Sequence, residues 1–592
     1  MTAQADDAIQ YLDRITAIDN DQPFFVYYVP GAVHAPHHPK PEWVKKISDM
    51  HLFDKGWNEL RDTIFANQKR LGVIPQDAKL TPWPHNLLKG WDQLAPDEKK
   101  LFIRQADVFA AYWAYSDHEI GRVIQHIEDM GKLDNTLIIY IAGDNGNSAE
   151  GSLVGTPNEV ASLLGIDVPV AEQMKFYDVW GSDLTYPHMA VAWTWAFDTP
   201  FSWTKQIASH WGGVRQGMAI SWPKVIKDKG GIRNQFHHFI DIVPTILEAA
   251  GIRQPQVVDG IPQEPIEGVS MMYTFDAKNA NASSTHHTQY FEMMGDHALY
   301  HDGWIASTKV IRPPWDVAGA VSLDPAGFPY ELYDLSKDWT QYNDVAAKYP
   351  DKLKELEKLF WVEANKFRVL PLDASVATRV VAPRPNLAAG RTQFTWSGEI
   401  TGTPNGDAPS ILDSSFRFTA DVEVPQGVEG MIVTQGGRFG GYGFYLLKGK
   451  PVFLYNFLDF QRMRWEGPDT LAPGRHTLEF DFKYDGLGLG TLAYNNVSGV
   501  GCGGTGVLKV DGKEVARQRI EHTIPLIMQW DENFDIGADT GTPVSNDYQV
   551  PFRFTGKLNK LTLTIDRPKL TPEDERQLMN SASRADDGPD RR

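Results

Sequence analysis

The sequence predicts an α/β fold, with a mostly parallel sheet flanked by helices, followed by a C-terminal antiparallel β-sandwich. Three observations predict it. Apolar runs without alternation, such as residues 137–142, are typical of strands covered on both faces of a parallel sheet. Segments with helical periodicity separate these runs along the chain. Beyond residue 367 the pattern changes to short alternating strands separated by turn residues.

The first region alternates between candidate strands and candidate helices. The strands are predicted at residues 23–29, 137–142 and 217–222, and the helices at residues 96–130 and 236–250. Gly251 stops the second helix, with Asp241 as its cap and Pro244 in its first turn. Residues 330–360 add a short strand and a charged helix. Strands that alternate with helices indicate parallel pairing, since parallel neighbours need a long crossover connection.

The second region is predicted to consist of β-strands. They are predicted at residues 416–424, 443–447, 452–457, 476–482, 506–510 and 561–565, with a hairpin turn at Asp511-Gly512. We therefore divide the chain into an α/β domain over residues 1–366, a linker over 367–391 and a β-sandwich domain over 392–568. The polar tail, residues 569–592, is expected to be disordered.

Composition narrows the class of protein. The net charge of −19 comes from 76 acidic and 57 basic residues, which argues against a general nucleic-acid binder. Cys502 is the one cysteine, in a glycine-rich loop context, so neither an intrachain disulfide nor a cysteine-based zinc site can form. No apolar stretch has the length of a transmembrane segment. The first residues lack the features of a signal peptide, which leaves a cytoplasmic or a periplasmic location open for a soluble protein.

Asp144 and Asn145 form the most informative candidate site. They follow directly on the candidate strand at residues 137–142, between Gly143 and Gly146. In open α/β sheets, ligands bind beyond the carboxyl ends of the strands. A carboxylate beside an amide offers the oxygen ligands that Ca²⁺ or Mg²⁺ prefers. An Asp-Asn-Gly turn that only closes a surface loop is the alternative.

His34, His37 and His38 cluster after the candidate strand at residues 23–29, in a loop stiffened by prolines. The cluster has three interpretations. It could bind a transition metal, one histidine could donate to a substrate anion or a leaving oxygen, or all three could be surface-loop residues.

Lys205 precedes the paired glycines Gly212-Gly213 and the candidate strand at residues 217–222. A lysine near a glycine-rich turn can bind a tetrahedral oxyanion as a point charge. A solvated lysine is the alternative. Arg215, close by, is expected to fasten the loop rather than to contact a substrate.

Several motifs together resemble one known family. PFFVYYVPGAVHAPHHP, GDNGNSAEG, KQIASHWGGVRQGMAISWP, FIDIVPTILEAAGI and ELYDLSKDWTQYND stand in the order seen in bacterial arylsulfatases, of the alkaline-phosphatase-like superfamily. The resemblance implies hydrolysis of small-molecule sulfate esters with a Ca²⁺ ion, or Mg²⁺ in its place, and a formylglycine made from a cysteine or serine. It also implies that Asp144 and Asn145 bind the metal, that His34 contacts the sulfate or protonates the leaving oxygen, and that Lys205 neutralises sulfate oxygens.

The sequence departs from the family in one respect. The family's opening segment carries further metal ligands and the Cys/Ser-x-Pro-x-Arg motif that yields formylglycine, and this chain matches the family only after that segment. Cys502 is followed by Gly-Gly-Thr and cannot replace the motif. We therefore expect an N-terminally incomplete catalytic domain that carries only part of an active site.

Three hypotheses follow from this departure. The chain could be an arylsulfatase whose beginning was lost through gene-start misassignment or truncation, with a complementing N-terminal segment or a homo-oligomer as its partner. It could be an inactive split sulfatase that serves as a binding module. It could also be a related phosphoester or phosphonate hydrolase.

Overall fold

The computed structural model describes residues 1–316, 324–375, 385–488, 500–574 and 576. The α-helices of this part are α1 Thr2–Ile18, α2 Pro41–Ser48, α3 Gly56–Leu71, α4 Pro96–Asp129, α5 Glu159–Leu163, α6 Val170–Gln173, α7 Val191–Phe197, α8 Trp211–Val214, α9 Ile242–Ala250 and α10 Pro350–Lys366.

The strands of the first region are β1 Ile138–Ile141, β2 Met218–Ser221, β3 Val257–Val258, β4 Ile261–Pro262, β5 Thr288–Met293, β6 Asp296–His301, β7 Trp304–Thr308 and β8 Tyr330–Asp334. The strands of the second region are β9 Gln393–Trp396, β10 Ile400–Pro404, β11 Ser415–Val424, β12 Gly430–Gly437, β13 Gly440–Leu447, β14 Lys450–Phe457, β15 Gln461–Glu466, β16 Gly474–Tyr484, β17 Gly501–Val510, β18 Lys513–Thr523, β19 Asn533–Ile536 and β20 Lys557–Asp566.

Helix α4 is the longest element of the described chain and forms the support of the first region. Pro96 occupies its first turn, and the Glu98 carboxylate accepts a hydrogen bond from the backbone N–H of Ala95 at 2.8 Å, which caps the helix. Its apolar face packs against α1 and against α7, as the spacing of its apolar residues predicts. Among the described residues, no helix combines the length and apolar composition needed to cross a membrane.

The predicted mostly parallel sheet needs a correction. Strand β1 pairs with β2, as the two apolar runs predict, but the ladder is antiparallel, with Ile139 opposite Ile220. Every other strand pair described in the first region is also antiparallel. An apolar run indicates that both faces of a strand are covered. Whether the strand pairs in parallel or antiparallel depends on its partner segment, so the apolar pattern alone does not predict the direction of pairing.

Residues 23–29 do not form a strand either. The segment is extended but makes no ladder. Phe24 and Val26 pack against the cluster between α1 and α4, while Phe25, Tyr27 and Val29 are 66%, 84% and 62% exposed. One face of the segment therefore stays uncovered, although its composition is that of a buried strand.

A four-stranded antiparallel sheet, ordered β5-β6-β7-β8, follows in the first region. Helix α10 packs across it through Leu356, Phe360 and Ala364, which bury against Leu299 and Leu332 of the sheet. The short strand and charged helix predicted at residues 330–360 are therefore present as β8 and α10.

The predicted C-terminal antiparallel β-sandwich is confirmed. Two six-stranded sheets, β10-β19-β12-β13-β14-β15 and β18-β17-β16-β11-β20-β9, face each other across one apolar core. Phe453 of one sheet stacks on Phe480 of the other, with ring centroids 3.5 Å apart. Cys502, which the sequence indicates in a loop, lies in β17, opposite His522 of β18.

The sandwich packs directly against the first region. Val160 and Ala161 of α5, and Leu164 directly after it, belong to the same buried cluster as the sandwich core. The Asn158 side-chain amide donates to the carbonyl oxygens of Phe439 and Leu458 at 3.2 and 3.0 Å. The segment at residues 156–168 thus joins the two regions. The domain limits drawn from the sequence stay a prediction, and their residues 376–384, 575 and 577–592 lie outside the described residues.

Candidate functional site

Two loops meet at the end of β1 and form the floor of the candidate site. The backbone N–H of Gly146 donates to the carbonyl of Gly213 at 2.9 Å, and the N–H of Lys205 donates to the carbonyl of Asn147 at 3.0 Å. A Cβ atom on Gly146 would collide with the carbonyl oxygen of Gly212. Glycine is therefore required for this close approach, which brings the Asp144–Asn145 loop and the Lys205 loop together.

Lys205 is the centre of the candidate site. Its ammonium donates to Oε2 of Glu150 at 3.1 Å and contacts Nε2 of His34 at 3.2 Å. Trp203 and Gln206 on either side of it have φ angles of 70° and 79°, in the left-handed region that non-glycine residues rarely adopt. Such strained backbone concentrates at functional sites. The lysine side chain is 22% exposed, so it is held by the protein while its tip remains reachable.

His34 presents one ring nitrogen to Lys205. Its Nδ1 lies 2.8 Å from the carbonyl oxygen of Ala35, and because a carbonyl only accepts, Nδ1 carries the proton. Nε2 is then the lone-pair nitrogen that accepts from the Lys205 ammonium. The ring is on the exposed side of the loop.

The other two histidines of the cluster have different surroundings. His37 is 2% exposed and packs against Phe109 and His188, each with ring centroids 5.0 Å away. Burial lowers the pKa of His37 well below its ordinary value. His38 is tied to the carbonyl oxygen of Thr185 at 2.7 Å. Only His34 of the three reaches Lys205, and the cluster does not gather around one point as a shared metal site would require.

Glu150 was not foreseen from the sequence. Its carboxylate accepts from Lys205, from Ser148 Oγ at 2.5 Å and from Gln206 Nε2 at 3.1 Å. Burial raises the pKa of Glu150, but the charge of Lys205 and the bond from Ser148 outweigh it and lower the pKa to about 2. The acid is therefore ionised at neutral pH and holds Lys205 in place. An isolated glutamate beside a glycine turn resembles a solvated loop residue, so the sequence offered no reason to select it.

Glu159 and His188 lie next to Glu150, and both were also missed. Each is 1% exposed. Burial and then the charge of Glu150 raise the pKa of Glu159 to about 8, whereas burial lowers the pKa of His188 to about 4. They stand far apart in the sequence and outside any motif, which is why only the folded chain reveals them.

Asp144 and Asn145 project from the loop that follows β1. The Asn145 side-chain amide donates to Oδ1 of Asp144 at 2.8 Å. This bond uses the amide nitrogen, so the amide oxygen and the second carboxylate oxygen are left as acceptors. An exposed carboxylate beside an amide oxygen is a donor set that suits a hard divalent cation.

Two neighbouring groups are structural. His210 is buried between Ser209 and Glu331, at 2.9 and 3.3 Å. The guanidinium of Arg215 lies over the ring of Trp339 at 3.8 Å, and burial lowers its pKa to about 10. As the sequence predicts, Arg215 fastens the loop.

The first region of the chain is similar in sequence to known proteins. Residues 2–252 match the family model described as Sulfatase. The chain is 29% identical over 381 residues to an uncharacterized sulfatase of Schizosaccharomyces pombe, covering 64% of each chain. It is 27% identical over 265 residues to an arylsulfatase of Klebsiella aerogenes, covering 45% of this chain and 54% of that one.

A third relative is similar to a shorter part of the chain. An N-acetylglucosamine-6-O-sulfatase of Bacteroides thetaiotaomicron is 23% identical over 247 residues, covering 41% of this chain and 32% of that protein. The chain thus spans between about a third and two thirds of the length of these curated relatives.

Proposed function

We propose that this chain, whose residues 2–252 match the sulfatase family model, binds sulfate esters at Lys205 and His34 and takes part in their hydrolysis. The observation that carries the proposal is the position of the Lys205 ammonium between Glu150 and His34. An ammonium has three N–H donors. The two described contacts engage two of them, which leaves the third for an oxygen of the sulfate group.

The surroundings of Lys205 suit an anion. Glu150 keeps the lysine oriented, because its carboxylate accepts a hydrogen bond from the Lys205 ammonium at 3.1 Å. Fixed donors aimed at developing negative charge are the main means by which enzymes stabilise transition states of ester hydrolysis. Lys205 supplies such a donor without having to reorganise.

His34 is the candidate for proton transfer. Its Nδ1 is bonded to the Ala35 carbonyl, so Nε2 is the nitrogen that faces Lys205. In the imidazolium form, which requires a proton taken up at Nε2, the ring would present Nε2–H beside the space in which we place the ester and could donate that proton to the leaving oxygen.

Asp144 and Asn145 are the proposed ligands of a Ca²⁺ ion, with Mg²⁺ as the alternative. Their free oxygen acceptors fit either cation, and the loop that carries them is bonded to the Lys205 loop. When bound, a divalent ion would offset the charge on the sulfate oxygens and polarise the ester. The two residues would supply part of its coordination shell.

The formylglycine of the family does not fit the residues present. Cys502 lies in β17 of the sandwich, where its N–H donates to the hydroxyl of Tyr484 and its carbonyl accepts from Thr523. We therefore derive no covalent step on this chain. A separate N-terminal segment is proposed to complete the site, since a second copy of the chain would lack the same motif. The uncovered face of residues 23–29 supports this, because Phe25, Tyr27 and Val29 there are exposed.

Hydrolysis of 4-nitrophenyl sulfate and 4-nitrophenyl phosphate in the presence of Ca²⁺, by the enzyme completed with the separate N-terminal segment, tests the proposal. We expect turnover of the sulfate ester to exceed that of the phosphate ester. Faster turnover of the phosphate ester would favour a phosphoester hydrolase. Turnover of neither ester, with no binding of the sulfate ester, would favour an inactive binding module.

A further inference from the structure

Three buried side chains converge on one side of Lys205. One ligand atom from each of Glu150, Glu159 and His188 lies within 4.8 Å of the others. Glu159 and His188 are each 1% exposed. The three residues form what we call the Glu–Glu–His cluster. Two carboxyl groups and an imidazole are seldom buried together unless a cation or hydrogen bonds satisfy them.

His188 has the arrangement of a metal-binding histidine. Its Nδ1 lies 3.1 Å from the carbonyl oxygen of Met189, so Nδ1 carries the proton and Nε2 bears the lone pair. Nε2 is buried and has no hydrogen-bond partner. A histidine that binds a metal characteristically donates its other ring N–H to a carbonyl or a carboxylate, which fixes the ring in this way.

Glu159 is left unsatisfied in the same place. Its Oε2 is buried and also has no hydrogen-bond partner. A buried polar atom without a partner destabilises the folded state. Two such atoms, one on an imidazole and one on a carboxyl group of the same cluster, indicate a ligand that accepts electron pairs from both.

Glu150 can supply a third ligand atom. Its Oε2 accepts from Lys205 and Ser148, whereas Oε1 accepts only from Gln206 among the described residues. A carboxylate oxygen has two lone pairs, so Oε1 keeps one for an ion.

The backbone holds the cluster rigidly. Thr156 and His188 form an isolated antiparallel bridge, and the N–H of Glu159 donates to the carbonyl of Tyr186 at 2.9 Å. Asn158 caps α5 through its side chain and is bonded to the sandwich. Glu159 and His188 are therefore set by two backbone segments fastened to each other, as a preorganised binding site requires.

We propose that the Glu–Glu–His cluster binds a first-row transition metal ion of the Zn²⁺ class, separate from the Ca²⁺ ion at Asp144 and Asn145. One imidazole and two carboxylates suit Zn²⁺, whereas Ca²⁺ prefers oxygen ligands alone. Zn²⁺ holds such ligands at about 2.0–2.2 Å, so a small side-chain movement closes the observed spacing around the ion. This site is additional to the sulfate-ester function and does not depend on it.

The test measures metal binding directly. The full chain is stripped with a chelator, dialysed against Zn²⁺, and its metal content is determined by mass spectrometry, with affinity from calorimetric titration. The variants are Glu159→Gln, which keeps the shape of the side chain, and His188→Gln. The matched control is Asp413→Asn, a buried acid of the sandwich that also has an unpartnered carboxylate oxygen. Circular dichroism establishes that each variant is folded.

We expect one Zn²⁺ per native chain and a loss of affinity of at least tenfold in both cluster variants. The control and Asp144→Ala should bind Zn²⁺ as the native chain does. Anomalous diffraction at the zinc edge should locate the ion between Glu159 and His188. The proposal is overturned if the folded native chain binds no stoichiometric Zn²⁺, or if folded Glu159→Gln and the native chain bind it equally. Because no step of this test measures ester hydrolysis, its result stands apart from that of the sulfatase proposal.

Discussion

The ammonium of Lys205 lies 3.1 Å from the Glu150 carboxylate, and the two side chains are only 22% and 14% exposed. This partly buried ion pair differs from the exposed pairs on the surface, which contribute little. Glu150 holds the lysine in place, and the lysine keeps Glu150 ionised in a buried position. The pair therefore connects the stability of the fold with the proposed binding of sulfate esters at Lys205.

Removal of the Lys205 charge should affect both properties. Lys205→Met leaves the Glu150 carboxylate buried without its cation, which should destabilise the fold by about 3 kcal/mol and lower sulfate-ester turnover of the completed enzyme by about 100-fold. Urea unfolding and steady-state kinetics measure the two effects. Lys175→Met, which breaks an exposed pair with Glu172, is the control and should change neither. Native turnover in Lys205→Met would remove the lysine from the site.

The histidine cluster offers a matched pair of variants. In the completed enzyme, His34→Ala should lower turnover by about 100-fold or more without altering the unfolding midpoint, because the ring is exposed and makes few packing contacts. His37→Ala removes a ring packed against Phe109 and should destabilise the fold by about 2–4 kcal/mol. Equal effects of the two variants on stability, or full activity of His34→Ala, would contradict these assignments.

Calcium should stabilise the native chain through Asp144. A ligand that binds only the folded state, at a concentration 100 times its dissociation constant, raises the free energy of unfolding by about 2.7 kcal/mol. The melting temperature should therefore rise by a few degrees. Asp144→Ala should abolish this shift, whereas Asp129→Ala, at an exposed acid near the end of α4, should retain it. A native chain that melts at one temperature with and without Ca²⁺ would leave no basis for the site.

The contact between the two regions should be energetically significant. Asn158→Ser preserves a side-chain oxygen that can cap α5 but loses both bonds to the carbonyls of Phe439 and Leu458. The two buried carbonyl oxygens then lose their hydrogen-bond donor. We expect the free energy of unfolding, measured with urea, to fall by about 1–3 kcal/mol. Asn67→Ser, at an exposed position of α3, is the control. Stability equal to that of the native chain would show that the contact contributes nothing.

The sandwich should lose stability as pH rises from about 4 to 7. Burial raises the pKa of Asp413 to about 7, despite the opposing hydrogen bond from Tyr484. The folded state therefore keeps a proton that the unfolded state has released in this range, and the free energy of unfolding falls by up to about 1.4 kcal/mol per pH unit for this group.

Asp413→Asn should remove that contribution. The difference in unfolding free energy between the native chain and Asp413→Asn should change with pH below 7 and level off above it, as measured by urea unfolding at several pH values. Glu399→Gln, at an exposed acid of the same region, should leave the pH dependence of the unfolding free energy unchanged. A difference that does not vary between pH 4 and 7 would refute this interpretation.

The second region was predictable in outline because its strands alternate. The predicted strand at residues 416–424 corresponds to β11, Ser415–Val424, and that at residues 476–482 lies within β16, Gly474–Tyr484. Strands with glycines or charged residues, such as β12 and β18, were missed, since their pattern is weaker than that of a half-buried strand.

The candidate site was predictable only where residues lie in short motifs. Asp144 and Lys205 stand beside glycine turns that mark close backbone approach, and His34 stands in a loop stiffened by proline. Glu159 and His188 have no such marker, because their proximity comes from a bridge between segments distant in the chain. The antiparallel pairing of β1 with β2 was likewise not predictable, because it depends on the partner strand rather than on the apolar run that forms β1.

Calorimetric titration of the chain with 4-nitrophenyl sulfate in the presence of Ca²⁺, repeated with Lys205→Met, measures whether Lys205 binds the sulfate group. We expect saturable binding to the native chain and a loss of affinity of at least tenfold in the variant, with 4-nitrophenyl phosphate bound more weakly than the sulfate ester. Absence of binding to the folded native chain, or equal affinity in Lys205→Met, would contradict this expectation.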